Sequence, residues 1–245
     1  MSCPKSCLCL ILVLLCFLSC QKEQTRAMDK LLSFSDASRH YSVSYRGTQV
    51  SEIRVDSGAG APFIIATYQY SNNYIRADLH ESTGYDFVEY FFQKGTMPLA
   101  VIKHKKINER DSIVSRTDFY YHAGTEIIDS VVLKNTNRFC FMPVFSGGNI
   151  TDYYLSQDYK PKVIAGSFLY YPVANVFKKT NPLLFVYSNP VFEFETFLMP
   201  RIFSVQTMSK FNGGSFVYDT DAKGNLSLED YGATVYPYRR IYTYE

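Results

Sequence analysis

From Tyr41 onward, apolar and polar positions alternate. Tyr41, Val43 and Tyr45 interleave with Ser42, Ser44 and Arg46; Gly47 interrupts, and Val50, Ile53 and Val55 resume. A period of two is the mark of a strand with one buried face, and a glycine between two such runs predicts a hairpin. The pattern recurs. Phe63 to Tyr70 and Tyr74 to Leu79 flank Ser71-Asn72-Asn73, and Asp86 to Gln93 precedes Lys94-Gly95 and Leu99 to Lys103. Thr117 to Tyr121 and Glu126 to Lys134 flank His122-Ala123-Gly124-Thr125. Arg138 to Phe145, Thr151 to Leu155, Lys162 to Tyr171, Ser215 to Tyr218, Leu226 to Leu228 and Arg240 to Tyr244 complete the series. No helix-period stretch is long enough to serve as a crossover between strands, which predicts an antiparallel meander.

Two stretches break the rhythm. Pro172 to about Met208 carries Pro172, Pro182, Pro190 and Pro200 among many large apolar residues. Prolines exclude a central strand and a long helix, while this much apolar surface does not suit a solvated linker. The expected structure is an irregular or short-helical segment packed as a lid or plug on the concave face of the sheet; two edge strands with loops are the other reading. Gln21 to Arg39 is polar apart from Met28, Leu31, Leu32 and Phe34, and reads as a tether with at most a short amphipathic helix.

The chain begins differently again. Cys7 to Leu18 is an apolar run with Lys5 before it, too short to cross a hydrocarbon core of about 30 Å, and it suits a signal peptide. At Ser19-Cys20 the sequence turns polar. A small residue before a cysteine at the end of such a run resembles a bacterial lipobox, with Phe17 where leucine is usual. The resemblance implies cleavage before Cys20 and acylation of its thiol and amine, and several acyl chains make an anchor permanent. An uncleaved signal anchor, or a signal peptide cut elsewhere, is the other reading. Gln21-Lys22-Glu23 resembles the export signal of Bacteroidota surface lipoproteins. The expected organisation is signal peptide 1–19, tether 20–39 and a single antiparallel β domain 40–245.

Composition narrows the functional classes. A chain from Cys20 has 245 − 19 = 226 residues, ample for a core, and loses Lys5 from a total charge of only +2. No basic surplus points to nucleic acid. There are 21 tyrosines and 19 phenylalanines but no tryptophan, a bias toward strands. Beyond Cys20 only Cys140 remains, flanked by Phe139 and Phe141; it has no cysteine to pair with and reads as a structural thiol.

Candidate chemistry is sparse. Asp219-Thr220-Asp221-Ala222-Lys223-Gly224-Asn225, with Asp230 in the twelfth position, has the spacing of a calcium loop. Lys223 at a ligand position and strand-like flanks speak against an ion, and a hairpin turn explains the same residues. Asp219, Asp221 and Asp230 are therefore a weak metal candidate. His104-Lys105-Lys106 reads as a loop or strand end. The histidines are scattered, there is no nucleophile elbow or phosphate loop, and Glu193 and Glu195 are an acidic pair without known spacing. No catalytic residue and no cofactor is expected.

Thr180-Asn181-Pro182-Leu183-Leu184, the greasy stretch through Leu198-Met199-Pro200, Phe216 to Asn225 and the closing Ile241-Tyr242-Thr243-Tyr244 resemble a Bacteroidota lipoprotein family, a domain of unknown function with a porin-like fold. The resemblance implies one large curved antiparallel sheet or incomplete barrel, partly filled by the Asn-Pro-Leu segment. It implies no catalytic residues. The strands lack a clean outward apolar band, so no membrane-spanning pore is expected. The resulting reading is a non-enzymatic outer-membrane lipoprotein, held by a lipid on Cys20 and displayed at the cell surface or at the periplasmic face. It would bind or scaffold a glycan, an apolar ligand or an envelope protein. A glycan hydrolase and a purely structural periplasmic lipoprotein are the alternatives.

Overall fold

The computed structural model describes residues 29–36, 38–57, 62–80, 84–134, 139–157, 163–177, 183–187, 189–191, 193–194, 196, 198–232 and 238–245. Cys20 and the expected signal peptide lie outside them. The described residues form sixteen antiparallel strands, each paired with its sequence neighbours, and β1 (Leu31–Ser35) pairs with β16 (Tyr238–Tyr244) to close a barrel.

The others are β2 (His40–Arg46), β3 (Gln49–Asp56), β4 (Ile64–Ser71), β5 (Tyr74–His80), β6 (Phe87–Lys94), β7 (Met97–Ile107) and β8 (Arg110–Tyr121). β9 (Ile128–Lys134), β10 (Phe139–Ser146), β11 (Asn149–Gln157) and β12 (Val163–Ala174) follow. The last are β13 (Gln206–Phe211), β14 (Gly214–Thr220) and β15 (Leu226–Gly232).

Closure corrects the expected incomplete barrel, and β1 is the reason. Leu31–Ser35 falls within the expected tether, yet Phe34 sits opposite Tyr41 on one side and Tyr242 on the other. The pairing with β16 is bulged between Leu31 and Ser33. The extra residue puts Leu31 and Phe34, three apart, both in the core, so the alternation that marks a strand is absent. Before β2 the Asp36 carboxylate accepts the amides of Ser38 and Arg39.

The barrel wall sorts residues by parity. Ile53, Val55, Ile64, Ala66, Tyr68, Ala77, Val88, Tyr90, Val101, Phe119, Val131 and Phe141 point inward and are buried. The outer face of β3 to β9 is a charged lattice in register. Arg54 bonds Glu52 at 2.6 Å, Arg76 bonds Asp78 and His104 bonds Glu89 at 2.7 Å, and Arg116 and Lys134 both bond Asp118 at 2.7 Å. Phe87 lies buried on this face between the Arg76 guanidinium, 3.8 Å from its ring, and the stacked His104 ring. Along β3 to β9 this is the opposite of the apolar outside of a membrane-spanning barrel.

The apolar interior is filled by the chain between β12 and β13, as the lid-or-plug reading expected. It includes the short helices α1 (Leu184–Tyr187) and α2 (Leu198–Phe203). Its side chains meet inward residues from around the barrel. Tyr187 meets Tyr68, Phe185 meets Phe92, Phe203 meets Phe119 and Tyr121, and Phe194 meets Phe139 and Phe141. Prolines suit a segment that takes few ladder hydrogen bonds. Its backbone is instead satisfied by side chains. Tyr90 Oη donates to the carbonyls of Asn189 and Pro190, and Asn175 Nδ2 donates to those of Pro200, Arg201 and Ser204. The plug ends sooner than expected, because Gln206 to Phe211 is β13.

In an antiparallel meander the turns alternate between the two barrel ends. The turns after β2, β4, β6, β8, β10 and β14, the plug, the start of β1 and the end of β16 therefore share one end. The contacts agree: the Glu245 amide donates to the Lys30 carbonyl, and Lys223 of the β14–β15 turn approaches Asp29 at 3.4 Å.

Candidate functional site

A cavity of about 710 Å³ opens at this end. The turns Thr96-Met97, Glu126-Ile127 and Gly147-Gly148 rim it, and α1, α2 and β16 supply its walls and floor through Leu184, Phe185, Leu198, Ile202, Phe203, Arg240 and Tyr242. The short turns leave the rim open. At Gly148, φ is +79° and the Val205 side chain lies against the site of a would-be Cβ, so glycine is needed both for the turn and for the fit of the plug.

The polar group of the floor is a buried ion pair. Arg201 of α2 donates through Nη2 to Glu229 Oε1 of β15, and the Glu229 side chain is 0 % exposed. Tyr242 Oη donates to the other carboxylate oxygen at 3.2 Å. Glu229 stands opposite Arg240 in the β15–β16 register. The Arg201 guanidinium also lies 5.0 Å from the centre of the Phe177 ring. Burial raises the Tyr242 hydroxyl well above its usual range, the Glu229 charge adds to that effect, and Arg240 and Arg201 oppose it. The phenol stays protonated and serves as a donor. Arg201 and Arg240 line the cavity, and among the described residues the one carboxylate in its lining is Glu126 on the exposed rim.

Sequence reasoning missed this constellation. Arg201 falls inside an apolar stretch, Glu229 on β15 and Arg240 on β16. Leu226 and Leu228 suggest that even-numbered positions face inward. The β14–β15 register shift between Asp219 and Thr220 breaks that parity, so Glu229 and Tyr231 face the core. A charge within the apolar run Leu198–Phe203 was the one available signal.

The sequence-derived candidates are dispersed. Asp221 caps the β14–β15 turn, its carboxylate taking the amides of Lys223 and Asn225 and the Asn225 side chain. Asp219 pairs with Leu228 in the ladder, and Asp230 lies on the outer wall 4.0 Å from Arg239. Among the described residues no three potential metal ligands converge. Cys140 is half-buried on the outer face, opposite Val132 and Ser156. His104, Lys105 and Lys106 form the far end of β7. Its neighbour Lys103 turns inward, with its ammonium 4.7 Å from the Tyr85 ring; burial lowers its pKa, and the Glu193 charge opposes the shift. Glu193 itself is exposed, and Glu195 lies outside the described residues.

No family model matches the chain, and no curated protein does. Among solved structures, it is similar to a porin-like protein from Bacteroides uniformis. That match has a TM-score of 0.50 and 11% identity, over 89% of this chain and 98% of the other. A porin-like protein from Bacteroides vulgatus matches at 12% identity with a TM-score of 0.49, over 89% and 99%. The likeness to the first is one of fold: a porin-like antiparallel barrel.

Proposed function

We propose that this protein is a non-enzymatic lipoprotein of the outer membrane, tethered through Cys20, whose barrel binds an apolar ligand in the mouth cavity. The carrying observation is the cavity itself. It lies within the roughly 300–1000 Å³ range of small-ligand sites, has mainly apolar walls, and sits above a filled lumen. The charged outer lattice supports a barrel held beside the membrane by its lipid, since each buried charge would cost about 2–4 kcal/mol at the bilayer midplane. A hydrolase would be supported by two carboxylates about 5–10 Å apart in the cleft; among the described residues the cavity lining supplies one.

The absence of tryptophan makes a clean reporter available. Ile127, 46% exposed on the rim, replaced in Ile127→Trp, gives a single indole at the mouth. Titration with hexadecanol should shift its emission to the blue and saturate. An emission spectrum indifferent to the alcohol up to its solubility limit would remove the ligand-binding reading.

A further inference from the structure

Among the described residues, the large apolar side chains left exposed gather at one end of the barrel. Leu99, Tyr120, Ile127, Val144, Val173 and Val205, each 38–53% exposed, all lie at the mouth. They come from the start of β7, the end of β8, the β8–β9 turn, the end of β10, the end of β12 and the entry to β13. Leu32, at the start of β1, adds a seventh. At the far end such residues are confined to the β7–β8 hairpin, and the remainder sit partway along β12, β14 and β16. We propose that this collar is a membrane-contact surface, which seats the mouth on the lipid bilayer with the cavity opening onto the lipid. The inference rests on the lipoprotein reading above and deepens it by giving the tethered barrel an orientation.

Three observations carry it. First, collar and cavity form one apolar surface, because Ile127 and Val205 belong to both. Single apolar side chains on a surface are ordinary, whereas a cluster that continues into an apolar cavity marks an interaction site. Second, the shape suits a fluid partner. The collar borders a hollow of about 710 Å³. The flat face of a second protein would touch the rim and leave the hollow empty, while acyl chains can fill it. Third, the chain leads there. β1 starts at the mouth end, and Leu31 is eleven residues from Cys20. Even fully extended, that stretch reaches about 40 Å. A lipid on Cys20 therefore keeps the collar near the bilayer and raises its effective concentration there.

The rim also sets the depth. Tyr120 suits the headgroup level, where tyrosine is enriched. The β10–β11 turn, Ser146-Gly147-Gly148-Asn149, carries no charge, but Glu126, Asp129 and Lys223 elsewhere on the rim do. The seating is shallow, and the tether makes it persist.

The test supplies the tether chemically. In the chain from residue 20, Cys140→Ser leaves Cys20 as the sole thiol. Cys20 is coupled to a maleimide-headgroup phospholipid in phosphatidylcholine vesicles. Ile127→Trp then reports on the mouth and Ile113→Trp on the far end, and brominated acyl chains quench whichever indole meets them. The expected result is that Ile127→Trp is quenched several-fold more strongly than Ile113→Trp. Val144→Ser/Val205→Ser should bring the mouth signal down to that of the far end. Equal quenching at both ends, quenching at neither, or a mouth signal unmoved by the serine pair would overturn the proposal. An unquenched mouth in a protein that dimerises in vesicle-free buffer, and that the serine pair makes monomeric, would also overturn it and give the collar to a second copy. Because the coupling replaces native acylation, each of these failures leaves the lipoprotein reading standing. Hexadecanol titration of uncoupled Ile127→Trp reads the cavity separately.

Discussion

At the residue scale, the interior charges are the strongest constraint on this fold. Glu229 has no water to fall back on, so Arg201 and Tyr242 must satisfy it. Arg201→Met should destabilise the protein by about 3–5 kcal/mol, because an uncompensated carboxylate would remain buried. The double variant Arg201→Met/Glu229→Met should lose clearly less than the sum of the single changes, measured as unfolding midpoints in a double-mutant cycle. Additive losses would show that the two side chains are not coupled. On the outer wall, Asp118 reports on the charged lattice. Burial raises its pKa, but hydrogen bonds from Lys134 and Arg116 outweigh that and lower it. A depressed carboxylate contributes stability above its unfolded pKa of about 3.9, and that stability is lost as pH falls through the folded value. The melting-temperature gap between wild type and Asp118→Asn should therefore be flat from pH 5 to 7 and close below pH 4. A gap that widened on acidification would contradict the arrangement.

At the scale of elements, the barrel depends on a strand that does not look like one. Phe34 stacks on Tyr41 with ring centres 4.1 Å apart and on Tyr242 at 5.9 Å, bridging the first and last hairpins. Phe34→Ala should cost about 3–5 kcal/mol, and hydrogen exchange should rise together in β1, β2 and β16, not in β1 alone. Gly214 makes a parallel case, since the Tyr231 ring lies where a Cβ would point. Gly214→Ala should lower the melting temperature, and Gly214→Ala/Tyr231→Leu should recover part of the loss. Period-two alternation made most of the strands legible in the sequence, because each has one face on the core. Where bulges reset the parity, as at Leu31/Ser33 and Asp219/Thr220, the alternation misled or vanished. β13 was hidden for another reason: it follows the plug directly, so the apolar run of Leu198–Phe203 appeared to continue through Met208. The ion pair of the candidate site was not legible, since its members are distant in sequence and meet only when the plug enters the barrel.

At the scale of the molecule, polarity decides what the barrel can be. Sixteen strands would be enough for an aqueous channel if their inner faces were polar; here those faces carry aromatic and aliphatic side chains packed on a plug. Under the proposed function, the protein is attached to the membrane by a lipid on Cys20 and not by the barrel wall. The most direct test is membrane fractionation of wild type and Cys20→Ala, with the β content of each followed by circular dichroism. The expected result is wild type released only by detergent and Cys20→Ala recovered in aqueous buffer as a folded β protein. Folded Cys20→Ala that still required detergent would mean that the barrel wall itself faces lipid, and would contradict the central claim.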